Sequence, residues 1–213
     1  MLMKYLYDPP LLIKRIFKDF SWQTSNNNIL LTLDDGPNPK STEKILILLS
    51  KLNIKALFFL VGKNVERNSE WIKNILIEGH TIGNHTFNHK IITGLNRIDS
   101  IEEINRFNSL MIEKYNYKVK YFRPPFGRIN FKTKKLMNET GMKCVMWNLL
   151  TYDYKKDIKK VKFSVDNYLQ INSIIVLHDS SKTEDIIENS IKYIAEAATK
   201  NGIDFGVPEE CLK

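Results

Sequence analysis

Short apolar runs alternate along the chain with longer segments in which apolar residues recur every three or four positions. Apolar runs that are bounded by Gly, Pro or charged residues are typical of buried strands. We predict strands over residues 29–33, 56–61, 81–83, 143–147 and 173–177.

The longer segments carry the spacing of amphipathic helices. We predict helices over residues 41–52, 71–78, 100–115, 130–140 and 183–200. Ser41 is a suitable N-cap for the first helix. Gly79 and Gly141 directly follow two of the others, as helix-ending glycines do.

This alternation predicts a mainly parallel sheet that is covered by helices and is either open or closed into a barrel. At 213 residues, with no internal repeat and no linker, the chain is expected to form one domain. We expect residues 1–27 to be an N-terminal arm packed on that domain, which covers residues 28–213.

The net charge of +8, from 32 Lys and Arg against 24 Asp and Glu, favours anionic surroundings. The lysines are scattered rather than arranged as a basic stripe with interleaved aromatic residues, so we expect no nucleic-acid binding. Cys144 and Cys211 are expected to be free thiols. We expect a monomer.

The longest uninterrupted apolar stretch near the N-terminus is Leu11–Ile13, which is too short for a signal-peptide core. No segment approaches the ~20 apolar residues of a membrane span. We therefore expect no signal peptide, no transmembrane segment and a cytoplasmic location by default, with association with the cell envelope left open.

Carboxylates and imidazoles follow several of the predicted strands. Asp34 and Asp35 come after the first strand, His85 after the third and His178 after the last. The carboxyl ends of parallel strands meet at one edge of a sheet, so these side chains are expected to converge. Such a set can hold a divalent ion on one carboxylate while the other accepts a proton.

Each of these residues also has a simpler interpretation. The sequence Asp34-Asp35-Gly36-Pro37 is also typical of a turn at the end of a strand. His85 and His89 are four residues apart, which would place them on one face of a helical turn, but surface or capping histidines show the same spacing. His80 has no partner at a useful spacing and is expected to be structural.

Two further residues are candidates for the same site. Arg123 precedes the stiff Pro124-Pro125 pair and could hold a carboxylate in bidentate fashion, or could be a surface arginine on a connector. Asp153 lies in an aromatic-rich loop. Near His178 it would raise the pKa of the imidazole and keep it protonated as a general acid; otherwise it is a solvated loop residue.

Four segments, taken in order, resemble the successive motifs of one family. They are Thr32-Leu33-Asp34-Asp35-Gly36-Pro37, His85-Thr86-Phe87-Asn88-His89, Arg123-Pro124-Pro125-Phe126 and Val176-Leu177-His178. The set is similar to that of the polysaccharide deacetylases of carbohydrate esterase family four, which carry the NodB-homology domain. The resemblance covers about residues 28 to 206. It implies an α/β fold, a distorted (β/α) barrel of about seven parallel strands.

The resemblance also implies a metal centre. Asp35, His85 and His89 would be the ligands of a divalent ion. In this family the ion is usually Zn²⁺, and Co²⁺, Ni²⁺ or Mn²⁺ can replace it.

Catalytic roles follow from the same resemblance. Asp34 would be the catalytic base, and Arg123 would orient it. The backbone N–H of Phe126 would help to stabilise the oxyanion. His178 would be the catalytic acid, tuned by Asp153.

Pocket residues depart from the family pattern. Val176, Leu150 and Tyr154 would form the wall of the acetyl pocket, and we add Trp147, which ends a predicted strand. The fourth family motif is commonly Asp-x-x-Asp-Trp, but Leu150 stands at its first aspartate and Tyr154 at its tryptophan. Leu33 stands where phenylalanine is usual. These differences bear on the substrate more than on the chemistry.

The resulting functional hypothesis is a metal-dependent amide hydrolase that removes acetyl groups from N-acetylhexosamine units of a glycan. The glycan would be peptidoglycan or a chitin-like oligosaccharide. One alternative is a deacylase or deformylase of a small cytoplasmic amide or a lipid-linked sugar. Another is a glycan-binding protein without turnover.

Overall fold

A computed structural model of the chain describes residues 6–213. Seven strands form one parallel sheet. The strands are β1 (Leu30–Asp34), β2 (Leu57–Leu60), β3 (Thr81–Asn84), β4 (Tyr121–Phe122), β5 (Lys143–Cys144), β6 (Leu149–Leu150) and β7 (Ile174–His178). All five predicted strands are present, and β4 and β6 were not predicted.

The sheet has the strand order β5-β4-β3-β2-β1-β7-β6, so β5 and β6 are its two edges. Seven strands in a flat sheet would place these edges about 29 Å apart. The chain from Cys144 to Leu149 can reach at most about 18 Å. The sheet must therefore curl until its edges approach each other. The predicted distorted (β/α) barrel is confirmed.

Helices flank the curled sheet, and most of them pack against its outer face. They are α1 (Leu11–Ile16), α2 (Thr42–Lys51), α3 (Gly62–Arg67), α4 (Glu70–Ile77), α5 (Arg97–Tyr115), α6 (Phe131–Thr140), α7 (Ile158–Tyr168), α8 (Ile187–Lys200) and α9 (Pro208–Cys211). The five predicted helices correspond to α2, α4, α5, α6 and α8. The last of them begins at Ile187 rather than at residue 183, because turns precede it.

Helix ends show which terminal signals act as expected. Gly141 ends α6 in the left-handed conformation, with φ at 66°. Ser41 precedes α2, but its hydroxyl does not cap the helix. It donates a hydrogen bond to Asp179 instead, at 2.5 Å. Ser41 therefore occupies the predicted N-cap position of α2, but its hydroxyl binds a buried carboxylate rather than the backbone of the helix.

Part of the expected N-terminal arm lies within the described residues, and residues 1–5 lie outside them. Phe17, Phe20 and Trp22 are buried in the main core, and Ser21 forms a parallel bridge with Val145. These contacts attach the segment to the barrel. The division of the chain at residue 27 stays a prediction.

Two other sequence features can be compared with the structure. Cys144 and Cys211 are free thiols, as predicted, and both are buried. Within residues 6–213, the helices are all too short or too polar to cross a membrane.

Candidate metal centre and active site

Two histidines and one aspartate converge where β1 and β3 end. Nε2 of His89 lies 3.1 Å from Oδ1 of Asp35, and Nε2 of His85 lies 3.6 Å from the same oxygen. One ligand atom from each of the three residues falls within 4.8 Å of the others. The predicted convergence of these three side chains is thus observed.

The local geometry of the two histidines differs from the prediction. Residues 85–90 form no helical turn. Thr86 and His89 have left-handed backbones, with φ at 66° and 58°. Helical spacing is therefore not what makes the imidazoles face each other. A loop does so, held from behind by Glu103, whose carboxylate accepts hydrogen bonds from the backbone and side-chain N–H groups of Asn88 at 2.8 and 2.6 Å.

The second ring nitrogen of His85 fixes the orientation of the imidazole. Its Nδ1 lies 2.7 Å from the carbonyl oxygen of Arg123. A carbonyl can only accept, so Nδ1 carries the proton and Nε2 keeps its lone pair toward Asp35. Burial lowers the pKa of His85 to about 4, although the nearby Asp34 and Asp35 oppose the shift. The ring is therefore neutral at physiological pH, as a metal ligand must be.

Asp35 remains charged despite its surroundings. Burial favours the neutral carboxyl, but the hydrogen bond with His89 and the positive charge of His178 outweigh this effect. The pKa of Asp35 consequently lies well below its ordinary range. Its backbone is left-handed, with φ at 78°, and its carbonyl accepts a hydrogen bond from Asn64 at 2.7 Å.

A buried carboxylate that sequence reasoning missed supports the loop after β1. Asp179 is fully buried and accepts hydrogen bonds from Ser41 and Thr42, both at 2.5 Å. Its backbone N–H donates to the carbonyl of Asp34 at 2.7 Å. A Cβ atom on Gly36 would lie 2.4 Å from Oδ2 of Asp179, so the loop packs directly on this carboxylate. Burial raises the pKa of Asp179 to about 6.

Asp34 is paired with Arg123 beneath the cleft. Nη1 of Arg123 donates to Oδ1 of Asp34 at 2.8 Å, and the guanidinium is fully buried. It also donates to Thr32 and to the carbonyls of Val145 and Met146, at 2.6, 3.0 and 2.8 Å. The surface-arginine alternative is therefore wrong. The expected bidentate contact with a carboxylate is also wrong, because the other N–H groups of Arg123 donate to residues of the sheet and of the segment after β5.

His178 is the register partner of Asp34 on the adjacent strand β7. Its Nδ1 lies 2.7 Å from Oδ1 of Asp153, and its backbone N–H donates to Oδ2 at 2.7 Å. Asp153 is fully buried, which rules out the solvated-loop alternative. Burial alone lowers the pKa of His178, but Asp153, together with Asp35 and Asp34, raises it to about 9.

A cleft of about 570 Å³ opens above these groups. All four predicted pocket residues line it, namely Trp147, Leu150, Tyr154 and Val176. Phe126 lines it as well, with its backbone left-handed at φ 59° and its ring 4.8 Å from that of His89. The amide N–H of Phe126 makes no hydrogen bond within residues 6–213. Lys155 and Lys182, which sequence reasoning missed, also line the cleft.

His80 lies apart from the cleft. It is buried, and its Nδ1 accepts a hydrogen bond from the backbone N–H of Ala56 at 3.1 Å. Burial and nearby Lys55 lower the pKa of His80 to about 4. The expectation of a structural histidine agrees with this position.

The donor atoms of Asp35, His85 and His89 fit a divalent ion. Tetrahedral coordination with bonds of about 2.0–2.1 Å separates neighbouring ligand atoms by about 3.3 Å. The two observed nitrogen–oxygen separations, 3.1 and 3.6 Å, bracket that value. Two imidazoles and one carboxylate also leave coordination positions for water and substrate.

Comparison with known proteins identifies the family. The family described as polysaccharide deacetylase matches residues 22–145, more than half of the chain. A peptidoglycan-N-acetylglucosamine deacetylase of Bacillus cereus is 31% identical over 199 residues, which are 91% of this chain and 92% of that protein. The chain belongs to the polysaccharide deacetylase family. The predicted family, and the hydrolase class that the family represents, are confirmed.

A second sequence and a solved structure are also similar to this member of the polysaccharide deacetylase family. A second Bacillus cereus protein of the same description is 36% identical over 136 residues. The matched residues are 64% of this chain but only 50% of that protein. A crystal structure of a peptidoglycan N-acetylglucosamine deacetylase bound to a naphthalenyl N-oxidanyl benzamide superposes with a TM-score of 0.88 at 27% identity, covering 94% and 96% of the two chains. The curled, seven-stranded architecture is shared.

Proposed function

We propose that this protein removes acetyl groups from N-acetylhexosamine units of a peptidoglycan-type glycan in a metal-dependent hydrolysis. One observation carries the proposal. Asp35, His85 and His89 present three ligand atoms to one point, and the carboxylate of Asp34 and the imidazole of His178 line the same cleft. The expected reaction is also the one named for the relatives above.

Asp35, His85 and His89 would hold the ion, and we propose Zn²⁺ for a set of two nitrogens and one oxygen. When bound, such an ion acidifies water and polarises an amide carbonyl. The remaining steps fall to the side chains around it.

Asp34 is the proposed base that accepts a proton from the attacking water. Its ion pair with the buried Arg123 fixes the orientation of the carboxylate. Because Arg123 contacts one oxygen of Asp34, the other oxygen stays available to the cleft. Asp34 can therefore take a proton without losing its support.

His178 is the proposed acid that protonates the departing amine nitrogen. The contact between Nδ1 and Asp153 keeps the ring cationic and directs the other nitrogen to the cleft. Proton transfer by a positioned group typically accelerates a reaction by about 10²–10⁴-fold. Asp153 acts through His178 and is a positioning residue.

The backbone N–H of Phe126 is the proposed donor to the oxyanion. Removing one well-placed oxyanion donor costs about 2.7–4 kcal/mol of transition-state stabilisation. Val176 and Leu150, with Tyr154 and Trp147, would enclose the acetyl methyl group on the apolar side of the cleft.

Acetate release tests the proposal. The protein is loaded with Zn²⁺ and incubated with N-acetylglucosamine oligomers and, separately, with small N-acyl amides. We expect acetate from the oligomers, loss of release with EDTA and near-total loss in Asp34→Asn. Asp185→Asn, a substitution of an exposed aspartate outside the cleft, is the matched control and should retain activity. Release from small amides alone, or full activity in Asp34→Asn, would contradict the proposal.

A further inference from the structure

Two lysines border the cleft beside His178. Nζ of Lys155 lies 5.4 Å from the centre of the Tyr154 ring, and that ring lies 5.0 Å from the ring of His178. Lys182 follows His178 by four residues and lines the same cleft. Both lysines are exposed, so their charges lie at the mouth of the cleft rather than at its floor.

Neither positive charge is neutralised by a carboxylate of the described part of the chain. Within residues 6–213, Lys155 and Lys182 form no ion pair with a carboxylate. Other lysines of the same surface do, since Lys40 lies 3.7 Å from Glu184 and Lys160 lies 3.7 Å from Asp157. The two lysines at the cleft mouth are therefore free to meet an anionic group on a ligand.

The position of the lysines tells which part of a substrate they meet. Val176 is buried, and its side of the cleft suits the acetyl methyl group. The amine that His178 would protonate stays attached to the sugar. In a substrate bound in this way, only the glycan would extend from the reacting amide to the exposed mouth of the cleft. A group bound by Lys155 and Lys182 would therefore belong to the sugar and not to the acetate.

We propose that Lys155 and Lys182 select glycans that carry a carboxylate on, or next to, the sugar that loses its acetyl group. The N-acetylmuramic acid units of peptidoglycan have this chemistry where no peptide stem is attached to their lactyl carboxyl, and chitin oligomers lack it. This inference rests on the proposed function. Charges at the rim of a site act mainly on partner choice and on the rate of encounter, and salt screens them.

A pair of otherwise identical glycans tests the inference. One is a strand of alternating N-acetylglucosamine and N-acetylmuramic acid without peptide stems, and the other is the same strand with each carboxylate converted to a primary amide. The quantity measured is the ratio of kcat/KM for acetate release from the two strands, at low and at high salt. Mass spectrometry of the products shows which sugar lost its acetyl group.

The wild-type protein should prefer the carboxylate strand, and the preference should shrink at high salt. Lys155→Met and Lys182→Met should each lower the ratio by about two- to fivefold, the range of exposed ion pairs, and the double variant by about tenfold. Lys159→Met, an exposed lysine on α7 that does not line the cleft, is the matched control and should keep the wild-type ratio.

The failures are distinguishable. If acetate is released from both strands at equal efficiency, or if the double variant keeps the wild-type ratio, the inference about Lys155 and Lys182 is wrong while the proposed function stands. If neither strand nor any N-acetylglucosamine oligomer yields acetate, the proposed function is wrong and this inference falls with it.

Discussion

Replacing Asp153 with Asn removes the negative charge that faces His178 and preserves the size of the side chain. In the structure both oxygens of Asp153 accept hydrogen bonds from His178, each at 2.7 Å, in a fully buried position. Although burial disfavours the cationic ring, this carboxylate raises the pKa of His178 to about 9. Without the charge, the pKa should fall to its ordinary value of 6.5 or below.

The size of the effect depends on pH. An imidazole donates a proton only below its pKa, so activity that needs His178 as an acid is lost as the pH rises through that value. At pH 8 a fall in pKa from about 9 to 6.5 reduces the protonated fraction from about 0.9 to about 0.03. At pH 6 the fraction falls only from about 1.0 to about 0.8. The loss is thus concentrated at alkaline pH.

Acetate release from N-acetylglucosamine oligomers at pH 6 and pH 8 measures this difference. The proposed metal ion would lower the pKa of His178 in the wild type and in the variant alike. The quantity compared is therefore the ratio of the wild-type rate to the variant rate at each pH. We expect the loss in Asp153→Asn at pH 8 to exceed the loss at pH 6 by about tenfold or more. Asp185→Asn is the control. Equal losses at both pH values would refute the assignment of Asp153 as the group that charges His178.

Three further substitutions probe the supports of the site. Arg123→Lys keeps the positive charge, but a lysine cannot reach Asp34 and the carbonyls of Val145 and Met146 at the same time. The free energy of unfolding, measured by urea denaturation, should therefore fall by about 1–3 kcal/mol. An unchanged denaturation midpoint would contradict this. Gly36→Ala places a Cβ atom 2.4 Å from a carboxylate oxygen of Asp179 and should weaken Zn²⁺ binding by about 10–100-fold in calorimetric titration, whereas Gly94→Ala, which meets nothing within 4 Å, should not. His89→Ala removes a proposed ligand and should abolish stoichiometric Zn²⁺ binding in the same titration, and wild-type affinity would show that the ion lies elsewhere.

Hydrophobic periodicity was sufficient to predict the long central elements of the fold. The strands β1, β2 and β7 are mainly apolar runs that are buried over nearly their whole length, and β3 is a short buried strand. The limits of all four were predicted to within one or two residues. The strands β4 and β6 have two residues each, which is too short for a hydrophobic pattern, and they form because the curled sheet brings them beside neighbouring strands. Their pairing is a tertiary effect that no local signal carries.

For the site, residue types predicted which side chains converge but not how the backbone presents them. The His85–His89 spacing suggested a helical turn, yet Glu103 and the left-handed Thr86 fold the segment as a loop. The role of Asp179 was missed because its partners, Ser41 and Thr42, lie far away in the sequence. Its position directly after His178 was the only local signal that could have pointed to it.

Lys155 and Lys182 were missed for a different reason. In a chain with 32 Lys and Arg, a single lysine in a loop carries no distinguishing pattern. Only the folded cleft separates these two lysines from those that cover helix faces. Composition showed the excess of positive charge, and the structure shows which part of it borders the cleft.

Anomalous diffraction at the zinc edge from Zn²⁺-soaked crystals tests the central claim most directly. The account predicts one strong peak at about 2.0–2.2 Å from a carboxylate oxygen of Asp35 and from Nε2 of both His85 and His89. It also predicts that this peak disappears in His89→Ala. A peak bound by other residues, or full acetate release from protein without any bound ion, would contradict the account.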